Sequence, residues 1–117
     1  MPTDPGELLA QQLKQLRQEY LRDSTERVAE LRRLRSRLLE NPAAALADLR
    51  HALHRLAGSG GSYGFPDVST RSREGEHLAM RLEAAGTAPG PADLAAIDQC
   101  IDGVDSAFAA ARATLGG

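Results

Sequence analysis

The sequence predicts an all-α fold, an antiparallel up-and-down four-helix bundle with a short extra helix at its N-terminus. Three observations carry this. Of the 117 residues, 42% are hydrophobic but only 3% aromatic, so the core must be built mainly from Leu and Ala. These are good helix formers, and β-branched residues are few. Apolar residues recur at spacings of three and four along nearly the whole chain, and no stretch alternates as a half-buried strand would. The breaks between periodic stretches are short, and short loops set consecutive helices antiparallel.

The elements follow in order. Residues 1–5 carry two prolines and read as a flexible leader, leaving 6–117 as a single domain. From Gly6, the residues Leu9, Leu13, Leu16 and Tyr20 form an apolar stripe. Asp23-Ser24-Thr25 interrupts it; any of the three caps a new helix, and Glu26 adds favourable charge to its first turn. Val28, Leu31, Leu34 and Leu38 continue the stripe, with arginines on the other sides. Asn41-Pro42 marks the next start, since Asn favours the N-cap and Pro the first helical position. That helix carries Leu46, Leu49, Leu53, Leu56 and then Gly60. Phe65-Pro66-Asp67 opens another, with Val68, Gly75, Leu78 and Leu82 at helical spacing. Thr87 to Pro91 has turn chemistry. A last helix carries Leu94, Ile97, Ile101, Val104, Phe108 and Leu115, and Gly116-Gly117 closes the chain.

Composition narrows the function. The net charge is -2 with no long run of one sign, so there is no overall basic bias toward nucleic acid. The single cysteine, Cys100, has no partner for an internal disulfide, which suits a reducing compartment. The N-terminus lacks the basic-then-apolar pattern of a signal peptide, and no apolar run approaches the roughly 20 residues of a membrane span. The expectation is a soluble, cytoplasmic, monomeric protein.

One segment resists a purely structural account. His54-Arg55-Leu56-Ala57-Gly58-Ser59-Gly60-Gly61-Ser62-Tyr63-Gly64 runs an amphipathic helix into four glycines. Each interior Gly costs a helix roughly 1 kcal/mol relative to Ala. Advancing about 100° per residue, Leu46, Leu49, Leu53, Leu56 and Gly60 share one stripe, which faces the core. His54 falls about 120° from the centre of that stripe, on a solvent-facing flank. Its neighbours there are Ala47, Arg50, Ala57, Gly58 and Gly61, all small except Arg50. A side chain at position 58 would lean back over His54, because Cα–Cβ bonds tilt toward the helix N-terminus. Glycine there leaves the ring open to a large partner. Gly64 is placed to end the helix.

These residues resemble a known family. His54-x-Leu56-x-Gly58, with Gly64 six residues further on, an aromatic and a new helix after it, is similar to the histidine-containing phosphotransfer (HPt) domain of two-component phosphorelays. Glu26-Arg27 and Leu82-Glu83 are weaker matches. The resemblance implies a four-helix bundle whose exposed histidine, His54, carries a phosphoryl group on Nε2. It implies a phosphoryl carrier rather than an enzyme, with no ATP site, no metal and no cofactor of its own. The partners would be a histidine kinase or a response-regulator receiver domain, with Mg²⁺ on the receiver. The chemistry is consistent: neutral imidazole is a nucleophile near pH 7, and phosphoryl transfer needs alignment and charge neutralisation above all. Many members carry Lys three residues after the histidine; here that position is Ala57. Arg50, one turn before His54, is the better-placed cation, Arg55 sits about 100° round the helix, and Glu76, Arg73 or Ser69 reach across from the next helix.

Competing readings are weaker. His51 and His54 stand three apart, as paired metal ligands can, but no carboxylate or thiolate clearly converges on them. His51 and His77 read as solvated surface residues and Cys100 as a packing residue. The alternative function is a non-catalytic helical adaptor that binds a partner protein through the same face.

Overall fold

The computed structural model describes residues 4–115 as five α-helices: α1 (Pro5–Arg22), α2 (Ser24–Ser36), α3 (Pro42–Ser62), α4 (Pro66–Ala85) and α5 (Pro91–Thr114). No strand occurs among the described residues. Four of the five helices begin on a proline. The ring pre-sets a helical φ, and its missing N–H is one the first turn would leave unpaired anyway. At α1, the Asp4 carboxylate accepts from the Gly6 amide at 3.1 Å, so this helix starts inside the segment expected to be a leader. Met1 to Thr3 and the closing Gly116-Gly117 lie outside the described residues.

The extra N-terminal helix is not short. It runs 18 residues, and only Tyr20 and Leu21 are buried. Leu9, Leu13 and Leu16, most of the expected apolar stripe, remain 48–67% exposed, as does Leu8. The helix overshoots the bundle, and the molecule extends 59 Å along its long axis. The break to α2 falls at Asp23, as the sequence suggests. The buried Ser24 hydroxyl donates to the Leu21 carbonyl at 2.6 Å and accepts from Arg112 at 2.6 Å, tying the bend to α5. A 3-10 turn, Arg37–Leu39, then leads into α3.

The core is aliphatic, with Leu31, Leu38, Leu49, Leu53, Ile101, Val104 and Phe108 almost fully buried. The helices that lie closest are α3 and α4, and two glycines set their separation. A Cβ on Gly60 would sit 3.0 Å from the Ser69 amide nitrogen and from Val68 Cγ1. One on Gly75 would sit 3.0 Å from Leu53 Cδ1. The close approach buries more of α3 than the leucine stripe alone. Ala45, Ala52 and Ala57 join Leu46, Leu49, Leu53, Leu56 and Gly60 inside.

The end of α3 is fixed from both sides. Gly64 adopts φ +82°, and the Phe65 and Gly64 amides donate back to the Gly60 and Gly61 carbonyls at 2.7 and 3.1 Å, the paired bonds of a Schellman cap. From α1, the Arg17 guanidinium donates to the Tyr63 and Gly64 carbonyls at 2.9 and 3.1 Å and lies over the Phe65 ring. Around this cap gather all four aromatic side chains of the protein. Tyr20 stacks on Tyr63 with ring centres 4.6 Å apart and also meets Phe65 and Phe108. Its hydroxyl pairs with Ser59 at 2.7 Å. Burial pushes the pKa of that phenol up, and the Ser59 bond opposes the rise. Among the described residues, no helix is long and apolar enough to cross a membrane.

Candidate functional site

His54 sits in the fourth turn of α3, where the helix continues unbroken through Gly58, Gly60 and Gly61. The glycines after it are therefore a helical surface and not a loop. The imidazole stands out from the bundle with 74% of its side chain exposed, against 14% for its partner Glu76. Glu76 reaches from α4, and its two carboxylate oxygens lie 3.1 and 3.0 Å from His54 Nδ1. A carboxylate only accepts, so Nδ1 carries the hydrogen and donates. In the neutral ring, that leaves the lone pair on Nε2. The sheltered carboxylate thus selects a tautomer and fixes the plane of an otherwise free ring, as outer-shell carboxylates do for other working histidines.

What orients Glu76 is the register of α3 against α4. The Ser69 hydroxyl donates to the Ala57 carbonyl at 2.7 Å, Gly61 faces Ser69, and Arg50 pairs with Glu83. The two helices run antiparallel, so Glu76 meets His54 between those anchors. Either side of Glu76 on α4, one turn away, stand the exposed residues Arg73 and Met80.

The small residues divide. A Cβ at Gly58 would meet nothing within 4 Å, so this position is open and its space belongs to whatever approaches His54. Gly61 is also exposed, bordering Ser69 with 3.5 Å from an added Cβ to the hydroxyl. Ala57 is not part of the open flank expected for it: it is buried, because α4 packs over that side of α3. A long side chain at position 57 has no clear way out.

The arginines are corrected too. Arg50 does sit one turn before His54, but its guanidinium is half-buried and committed to Glu83, a pairing the sequence did not reveal. Arg55 turns the other way, lining a groove against α2 with Glu26, Arg27 and Glu30. Neither is at the imidazole. The spacing of Arg50 showed its level on the helix but not its partner, because Glu83 lies 33 residues away. His51 and His77 are exposed, as expected of surface residues. Cys100 is partly buried between α4 and α5. Burial pushes its thiol above the usual range, with Glu74 adding to the effect.

Chemically, the arrangement offers one oriented nucleophilic nitrogen on a rigid, otherwise flat surface. No group of three or more His, Cys, Asp or Glu side chains able to hold a metal ion occurs among the described residues. Comparison with known proteins adds one finding. Residues 15–107 match a protein-family model described as the Hpt domain. No curated protein and no solved structure gave a significant match.

Proposed function

The chain belongs to the Hpt domain family, whose members are histidine phosphocarriers of two-component systems, and from that premise we propose that His54 is its phosphoryl-accepting residue. The single observation that supports this reading is the hydrogen bond from His54 Nδ1 to Glu76, which leaves Nε2 as the exposed nucleophile. The phosphoryl group comes from, or goes to, the aspartyl phosphate of a receiver domain, or comes from a histidine kinase.

The transfer balances as follows. The Nε2 lone pair attacks phosphorus, the Nε2–P bond forms, and the bond from phosphorus to the aspartyl oxygen breaks, returning a carboxylate. The ring keeps its Nδ1 hydrogen and becomes a phosphorylated imidazolium. Its positive charge faces Glu76, so a neutral N–H···carboxylate bond becomes an ion pair as the bond forms. Such charge-assisted bonds are roughly twice as strong as neutral ones. In the reverse direction the ring leaves as neutral imidazole, and no proton has to be moved in either step. The family's Mg²⁺ is assigned to the partner receiver. Gly58 clears the approach, and Gly61 flattens the surface one turn on.

The test is to incubate the protein with a phosphorylated receiver or a histidine kinase and follow acid-labile, base-stable label. Label is expected on the native chain and none on His54→Gln. Label persisting in His54→Gln would remove His54 as the acceptor, and stable partner binding with no label on the native chain would return the reading to a non-catalytic adaptor.

A further inference from the structure

Phosphoryl transfer places a group of two negative charges beside His54, and the residue that touches the ring, Glu76, is itself negative. The imidazolium formed in the transfer answers Glu76, so a further cation is needed to offset the phosphoryl oxygens. Most basic side chains near the ring are engaged elsewhere. Arg50 is held by Glu83. Arg55 faces α2. Arg71 is paired with Glu74 and packs against Gly103, toward α5. Arg73 remains. It is exposed, and among the described residues no ion pair or hydrogen bond engages it.

Its place in the register is specific. On α4 it lies between Ser69, which bonds to Ala57, and Glu76, which bonds to His54. It is three residues from Glu76, about 4.5 Å along the bundle, on the same outer rim. Opposite it, α3 presents Ala57, Gly58 and Gly61, of which the first is buried and the other two have no side chain. Gly58 and Gly61 put no side chain between Arg73 and the space in front of the imidazole. The bare surface therefore serves two approaches, that of the partner from solvent and that of a guanidinium from the neighbouring helix.

We propose that Arg73 is the cation that contacts the phosphoryl oxygens when the group sits on His54 Nε2, swinging across the bare Gly58 and Gly61 surface to reach it. The proposal rests on the reading of His54 as the acceptor. It makes Arg73 a contact to the transferred group, supplied from α4, at a level where α3 can offer no outward side chain.

The experiment uses phosphoramidate, a small donor that needs no partner protein. The Nε2–P bond forms as the P–N bond of phosphoramidate breaks and ammonia leaves. Loading is followed by ³¹P NMR in the native chain, Arg73→Ala, Arg73→Lys, Arg71→Ala and His54→Gln, with circular dichroism confirming that each is folded. Arg73→Ala should load about fivefold more slowly, as expected for one exposed charge pair strengthened by direct hydrogen bonds. Arg73→Lys should load at a rate between native and Arg73→Ala, since the charge is kept while the guanidinium fork is lost, and Arg71→Ala should load at the native rate. Native-rate loading by Arg73→Ala overturns the proposal even if transfer from a receiver is slowed, because the residue is then a docking contact. Loss in Arg73→Lys as large as in Arg73→Ala overturns it as well. Label on His54→Gln would instead remove the underlying reading, a separate result from either.

Discussion

Replacing Glu76 tests whether the α4 carboxylate makes His54 a nucleophile or merely neighbours it. Glu76→Gln keeps an oxygen that can accept from Nδ1, so the tautomer and ring plane survive while the charge is lost. Glu76→Ala removes both. A hydrogen bond to a charged group contributes about 1.5–3 kcal/mol net. The carboxylate is sheltered, at 14% exposure, but the ring is 74% exposed, so solvent screens the developing pair. A value at or just below the lower end, about 1–1.5 kcal/mol, is appropriate, which is roughly a 5- to 12-fold loss of rate. Glu76→Gln should show that loss in phosphoramidate loading at neutral pH. Glu76→Ala should lose somewhat more and distribute label between the two ring nitrogens, which ³¹P chemical shifts distinguish. Native-rate loading in both variants, or Nδ1 as the labelled nitrogen in the native chain, would refute the argument that Glu76 directs the lone pair to Nε2.

Other perturbations separate packing from chemistry. Gly58→Ala should stabilise the fold by about 0.5–1 kcal/mol, since a Cβ there meets open space. Gly60→Ala should destabilise it by about 1–2 kcal/mol, because the Cβ meets α4 backbone at 3.0 Å; urea midpoints for the two should move in opposite directions. Gly58→Gln should keep native helix content in circular dichroism yet slow transfer from a receiver, and a collapsed spectrum would make Gly58 purely structural. Arg17→Ala should lower stability by about 1–2 kcal/mol through loss of its bonds to the Tyr63 and Gly64 carbonyls, read as a drop in Tm. Cys100 has its thiol pushed upward by burial, so less thiolate exists at any given pH below that point. Alkylation at pH 8 should be much slower than in urea-unfolded protein, and equal rates would contradict the burial.

Much of the architecture was legible in the sequence because it depends on local rules. Proline at the first position marks the starts of α3 and α4, and Gly64 the end of α3, whereas Pro91, read with the preceding turn, opens α5. The exposed place of His54 followed from angle alone. What failed was whatever depends on a second helix. Ala57 is buried because α4 crosses close to it, and Arg50 is committed because Glu83 arrives opposite. Helical periodicity gives a residue's direction but not what stands in that direction. The same limit explains α1. Leu9, Leu13, Leu16 and Tyr20 have one period, yet only Tyr20 meets the bundle, since the others lie past its end. Glu76 was named among the supporting residues, but its bond to Nδ1 required the register of α3 on α4.

The gathering of every aromatic ring around the end of α3 also decides what light can report. There is no tryptophan, and the two tyrosines are stacked on each other. Nine residues separate Tyr63 from His54, about 13.5 Å along a rigid helix. Ultraviolet emission from this protein therefore has one origin, at the junction of α1, α3 and α5, with the Tyr20 phenol bound to Ser59. It should follow unfolding closely and stay nearly constant when His54 is phosphorylated. A change in emission on phosphorylation would mean that the chemistry at mid-helix is felt at the cap, and that the bundle transmits it.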